Sequence, residues 1–141
     1  MPGKVYRTAI YCRLSREDGD KVESNSIASQ RAICEDYIAR HDDLEIVCEP
    51  FVDDGYSGVS FNRPNFKKLE DAIRKGAIDC IVVKDLSRFS RNYIDGGRYL
   101  EKIFPQLGIR FIAVNDAYEQ KLQERMEQSE DAPAQGMEQQ M

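Results

Sequence analysis

The stretch "IDCIVVKDLSRFSRN", Ile78 to Asn92, decides the fold. Its first six residues are almost continuously apolar, as a strand must be when helices cover both faces of its sheet. The apolar run then stops at a polar segment holding Arg88 and Arg91 with Ser87 and Ser90. On either side, short apolar runs alternate with helical periods. Val5 to Cys12 and Leu44 to Val52 read as strands before it, and "IRFIAV", Ile109 to Val114, as a fourth after it. "SNSIASQRAICEDYIARH" reads as a helix, with Asn25 or Ser26 as N-cap and Ile27, Cys34 and Ile38 on one face. Pro64 to Lys75 reads as another, burying Phe66, Leu69, Ala72 and Ile73, with Pro64 in its first turn and Gly76 past its end. A third passes through Leu100, Ile103, Phe104 and Leu107 and stops at Gly108; Pro105 should kink or fray its last turn. This alternation predicts a doubly wound α/β domain: a mainly parallel sheet of four to five strands with helices on both faces.

The domain is expected over residues 1–117. From Tyr118 the chain loses apolar periodicity and turns Glu- and Gln-rich; Tyr118 to Gln128 is long enough for one short helix, and Ser129 to Met141 is expected to be disordered. With 41% hydrophobic and 32% charged residues, the chain has the composition of an ordinary soluble protein. No apolar run approaches the length of a membrane span, and no hydrophobic signal region opens the chain, so a cytoplasmic location is the default. Cys12, Cys34, Cys48 and Cys80 are widely spaced among apolar residues, which predicts core thiols, not a metal site or disulfides. The net charge of -5 is unevenly spread. Setting aside the six acids and two bases of residues 119–141 leaves 19 of 25 acids and 18 of 20 bases. A nearly neutral body cannot supply the electrostatic affinity of a stand-alone DNA binder, so duplex DNA should be bound weakly by this chain alone.

In open α/β sheets, ligands bind beyond the carboxyl ends of the strands. Arg13 and Arg16 fall there after the first strand, Arg63 in the loop after the second, and Arg88 and Arg91 after the third. Ser15 lies on the same edge, in "AIYCRLSRED". A serine hydrolase would need a histidine base, and the single histidine, His41, reads as a cation at a helix C-terminus. Guanidinium forks suit phosphate instead. Ser15 is therefore a candidate nucleophile facing a phosphodiester held by arginines from several loops. Each segment alone has a plainer reading: surface arginines are usually solvated, Ser87 or Ser90 can merely cap a helix, Gln30 can be an exposed polar residue, and "DDGYSG" can be a simple turn. The convergence of three segments on one edge is what favours a site.

"YCRLS" followed by "SIASQ", "DDGYSG", "NRPNF" and "VVKDLSRFSRN" resembles, in order and spacing, the serine recombinase (resolvase/invertase) catalytic domain from about Val5 to Asp116. "DLSRFSRN" is most similar to the large serine recombinases of mobile elements. The resemblance implies a transesterification without metal or cofactor. Ser15 would form a 5'-phosphoserine link, strands would be exchanged within a tetramer built from dimers, and the freed 3'-hydroxyls would reverse the chemistry. It makes Arg13, Arg88, Arg91 and Arg63 phosphate-binding residues. Tyr11, Gln30, Ser57, Ser87 and one of Asp53 or Asp54 become supporting positions, Asp54 being preferred and the choice left open. Small resolvases carry an aspartate where this chain has Ser87, which weakens any general-acid role there. The family's long interface helix and DNA-binding domain have no counterpart in the tail, so a non-catalytic remnant that only associates with full-length subunits is the alternative. A nucleotide-binding module is disfavoured by the absence of G-x-G-x-x-G and of a P-loop.

Overall fold

The nine residues Tyr6–Leu14 form β1, and every other part of the sheet is arranged around it. The computed structural model describes residues 3–15 and 26–119. Arg16, Asn25 and the tail from residue 120 lie outside the described residues, so all but the first two residues of the expected short helix, and the expected disordered tail, lie outside them as well. In chain order β1 is followed by α1 (Ile27–Ala39), β2 (Leu44–Ile46), β3 (Phe51–Asp54), α2 (Pro64–Arg74) and β4 (Cys80–Val83). Then come a single-turn α3 (Leu86–Phe89), α4 (Tyr93–Arg98), α5 (Phe104–Gln106), β5 (Arg110–Ala113) and β6 (Tyr118–Glu119).

The sheet has six strands in the order β2-β1-β4-β5-β6, with β3 also paired to β1. All pairings are parallel except β5 with β6. The doubly wound architecture is as the alternation predicts, and the strand count is larger for two reasons. The expected strand Leu44 to Val52 is broken: β2 pairs with Tyr6–Thr8 and β3 with Tyr11–Leu14, with Pro50 immediately before β3. The register shifts by two residues between them, so the four residues 47–50 bulge where β1 supplies only Ala9 and Ile10, and the strand stops and restarts along the same side of β1. The second reason is β6. Ala117, at φ 51, turns the chain back in a left-handed conformation, and Tyr118 pairs antiparallel with Ala113. Tyr118 and Glu119 are thus strand residues, not the start of a helix.

Alternation along the strands sends side chains to two cores. Ala9, Tyr11, Ile81, Val83, Phe111 and Ala113 face α2 and the α4–α5 helix, packing with Phe66, Leu69, Phe89 and Phe104. Ile10, Cys12, Cys80, Val82 and Ile112 face α1, packing with Cys34 and Ile38. Ser26 caps α1, accepting the Ser29 N–H at 3.0 Å. Pro105 does not simply fray its helix. A π-helical turn, Tyr99–Ile103, joins α4 to α5, closed by the Phe104 N–H on the Tyr99 carbonyl. A wider turn accommodates a proline whose missing N–H breaks the ordinary ladder. Cys12, Cys34 and Cys80 are buried free thiols and Cys48 is half-buried. At the amino edge of the sheet, Arg110 donates to Asp43 at 2.7 Å and to Glu119 at 2.8 Å, tying β6 to the loop before β2. Among the described residues no helix is long and apolar enough to cross a membrane.

The chain first crosses from β1 to one side and then returns past it to β4. This reversal falls between β1 and β4, and doubly wound sheets bind ligands at the carboxyl ends of the strands that flank such a reversal.

Candidate active site

Among the described residues Arg13, Arg63 and Arg88 are the largest fully buried side chains, and they come together at the carboxyl ends of these strands. A buried guanidinium is costly unless its donors are met. Here they are met chiefly by the backbone. Arg13 donates from Nε to the Arg88 carbonyl at 3.1 Å, and from its terminal nitrogens to the Tyr56 carbonyl at 2.9 Å and the Ser87 carbonyl at 2.7 Å. Arg63, the N-cap residue of α2, donates to the carbonyls of Ser60 (2.8 Å), Phe89 (2.7 Å) and Gly58 (3.3 Å) and to the Tyr11 hydroxyl (3.4 Å). Its guanidinium also lies over the Phe61 ring, 4.6 Å from the centroid. Arg88 donates to the Arg13 carbonyl at 2.9 Å and to the Ser87 hydroxyl at 3.2 Å.

The contrast with Arg110 is informative. Arg110 is neutralised by two carboxylates, whereas the hydrogen bonds of Arg63 go to carbonyls and a hydroxyl. Carbonyl dipoles fix a guanidinium in place without cancelling its charge. Arg63 thus keeps its charge at a fixed place, which is what meeting an anion requires.

Gln30 is fully buried, although the bland reading had it exposed. It lies on the stripe of α1 that carries Cys34 and Ile38. Its side-chain amide accepts the Arg13 N–H at 3.2 Å and donates to the Arg13 carbonyl at 3.0 Å. It thus serves the end of β1 as a neighbouring strand would, beyond the point where β4 pairing stops. The Arg13 carbonyl therefore receives both Gln30 and Arg88. Ser15, 8% exposed, follows two residues later.

Of the adjacent aspartates, the one wired into this network is Asp53. It is fully buried, accepts the Tyr11 hydroxyl at 2.7 Å, and takes the N–H groups of Asn65 and Phe66, both at 2.9 Å. It thereby fastens the first turn of α2 to β1. Asp54, the preferred candidate, is exposed. The register explains the difference: Asp53 lies opposite Arg13 and shares its face, while Asp54 points the other way. Burial pushes the Tyr11 phenol far above its ordinary range; the Arg63 charge opposes this and the hydrogen bond to Asp53 reinforces it. Tyr11 is thus a neutral donor at any working pH.

Ser57 accepts the Val59 N–H at 3.0 Å, shaping the turn before Gly58. The Ser87 hydroxyl donates to Asp85, the N-cap of α3, whose carboxylate also lies 3.6 Å from Arg88 Nε. Asp85 is a site residue that the motif reading missed; its signal was an N-cap residue placed directly after the central strand. Arg91 is exposed, its N–H bonded to the Gly58 carbonyl at 2.7 Å. Ser90 shapes the same loop, accepting the Asn92 N–H at 2.9 Å. His41 stands at the far end of α1, its Nδ1 2.7 Å from the Tyr37 carbonyl and its ring stacked on Tyr37. Among the described residues no group of histidine, cysteine and carboxylate side chains could hold a metal ion.

The family model described as "Resolvase, N terminal domain" matches residues 8–134. Among solved structures the chain is similar to the N-terminal catalytic domain of TP901-1 integrase, with 26% identity, 80% of each chain covered and a TM-score of 0.70. It is also similar to a resolvase family site-specific recombinase from Streptococcus pneumoniae: 25% identity, 92% of this chain and 91% of that one, TM-score 0.65. At 20% identity, covering 91% of this chain and 82% of the other with a TM-score of 0.61, the C-terminal catalytic domain of ISC1926 TnpA, an IS607-like serine recombinase, shares the fold. No curated protein matches the chain.

Proposed function

We propose a function from one premise: the chain belongs to the resolvase N-terminal-domain family. It acts as the catalytic domain of a site-specific DNA recombinase, and Ser15 is its nucleophile. The Ser15 oxygen bonds to the scissile phosphorus as the bond from phosphorus to the 3'-oxygen breaks. The serine gives up its proton and the departing oxygen gains one, leaving a 5'-phosphoserine link and a 3'-hydroxyl. Attack by a 3'-hydroxyl on the link reverses the step, so phosphoester energy is conserved and no nucleotide cofactor is consumed.

Phosphoryl transfer is mostly positioning and stabilisation of charge on the equatorial oxygens. The observation that supports this reading is the convergence of Arg13, Arg63 and Arg88 at the end of β1, two residues from Ser15, with Arg63 left un-neutralised by any carboxylate bond. Arg91, exposed on the same loop, is placed to meet the DNA backbone. Flanking guanidinium charge favours the serine alkoxide and replaces a histidine base. Tyr11, Gln30 and Ser87 hold the arginines, Asp53 holds Tyr11, and Ser57 shapes the turn around Gly58. The domain works within dimers and tetramers on duplex DNA.

The test joins the chain to a sequence-specific DNA-binding domain and offers it a nicked duplex that traps the covalent intermediate. A denaturation-resistant protein–DNA adduct is expected, and Ser15→Ala is expected to abolish it while leaving fold and DNA binding intact. An adduct that survives Ser15→Ala overturns the nucleophile. No adduct from the parent chain, with co-purification of a full-length recombinase, replaces this reading with the non-catalytic remnant.

A further inference from the structure

We infer that Gly58 is a positioning residue of the arginine cluster, seating Arg13 and Arg91 against each other through the absence of a side chain. Gly58 is buried and does not have the positive φ found at Gly55, Gly76 and Gly108, so backbone freedom does not explain it. Space does. A Cβ at Gly58 would lie 2.8 Å from a terminal nitrogen of Arg13, 3.0 Å from the Arg13 guanidinium carbon and 2.9 Å from Cγ of Arg91. Contacts this short are repulsive for carbon.

Arg13 cannot yield cheaply, and Arg91 yields only by turning about its Cα–Cβ bond, which swings its guanidinium out of this seat. The Arg13 guanidinium is anchored to the carbonyls of Tyr56, Ser87 and Arg88. Cγ of Arg91 stands close to its own backbone, whose N–H is bonded to the Gly58 carbonyl at 2.7 Å. That same carbonyl takes a terminal nitrogen of Arg63 at 3.3 Å. One residue therefore touches three of the four arginines, two by hydrogen bonds to its carbonyl and two through its bare Cα. The spacing of the guanidinium groups follows from that seat, and with it the geometry offered to a phosphate. The inference rests on the phosphate reading above for its consequence, not for its geometry.

The test uses the isotopically labelled chain and follows the Nε–Hε resonances of its arginines during titration with inorganic phosphate. In the parent protein a dispersed Arg13 resonance should shift saturably. In Gly58→Ala that resonance should be displaced before any phosphate is added, and phosphate affinity should fall tenfold or more. Gly97→Ala is the control: its added Cβ meets nothing within 4 Å, and both readouts should match the parent. A Gly58→Ala protein with a lower melting temperature but an unmoved Arg13 resonance and unchanged phosphate affinity reduces the glycine to loop packing and overturns the inference. Displacement of Arg13 by Gly58→Ala when the parent ignores phosphate upholds the seat and instead counts against the phosphate reading. Should Gly58→Ala fail to fold, hydrogen exchange in the parent decides. The Arg91 amide and the Arg13 Nε–H should be slowed together by tenfold or more; an Arg91 amide that exchanges freely overturns the proposal.

Discussion

Arg88 presents its charge through a fork that holds the Arg13 carbonyl and the Ser87 hydroxyl. Arg88→Ala should slow adduct formation on the order of a hundredfold, the usual loss for a donor aimed at transition-state charge. Arg88→Lys should recover only part of this, because an ammonium cannot make the paired contacts. Ser87→Ala and Ser90→Ala should slow the reaction modestly at most, since their hydroxyls shape the loop; single-turnover rates on the trapping substrate separate the cases. Asp53→Ala should cost about 3 kcal/mol of stability, the upper range for buried acceptors of this kind, read as a lowered urea midpoint. Asp54→Ala should cost almost nothing. The arginines were legible as residues because their type and their place after strands both speak of phosphate. The choice between Asp53 and Asp54 was not, because a shift of one residue in strand register exchanges the two faces. Gln30 did leave a sign, a polar residue in the stripe of Cys34 and Ile38. Gly58 left none, since only packed neighbours reveal a missing Cβ.

At the level of elements, α1 is fastened to β1 by the Gln30 amide as well as by apolar packing. Gln30→Ala should remove a partner from both backbone groups of Arg13 at about 2 kcal/mol, and exchange of the Arg13 amide should quicken. Phe66 of α2 meets Tyr11 edge-on at 5.6 Å and lies 5.2 Å from the Phe61 ring. Truncation by Phe66→Ala should cost about 4 kcal/mol through the cavity it leaves, read as a fall in melting temperature. Strands and helices with a clear period were readable because burial imposes it on every residue. The break before β3 was less so: the pattern of Leu44 to Val52 does not reveal that its two halves pair with β1 two residues out of register. The π turn was foreshadowed by Pro105, but proline specifies that the ladder must give way, not how. The two-residue β6 is too short to leave any period.

For the molecule as a whole, alkaline pH should be the limit of stability. Burial pushes the Cys12 thiol up to about 12, and likewise the Cys80 thiol up to about 12, from an ordinary 9.0. Near neutrality both thiols are protonated whether the chain is folded or not. As pH rises past the ordinary value, the unfolded chain sheds protons that the folded one keeps. This contribution is therefore complete below about pH 9 and declines until the folded thiols ionise. Urea midpoints should fall steadily over that interval, and less steeply in Cys12→Ala. A prediction at the same scale is that anisotropy should find only weak affinity for duplex DNA, because the near-neutral body and not any single contact sets it. The interrupted strand at Pro50 has a further consequence, for behaviour in concentrated solution. A sheet recruits stray chains through an outer row of unpaired backbone groups, and the hazard grows with the length of that row. One outer row is split into β2 and β3, and the other described row is the two residues of β6. Neither is long enough to template a fibril. Deleting Glu49 and Pro50, which restores one register along β1, should let the first row run unbroken, and light scattering should then detect sheet-rich aggregates at concentrations where the parent solution stays clear.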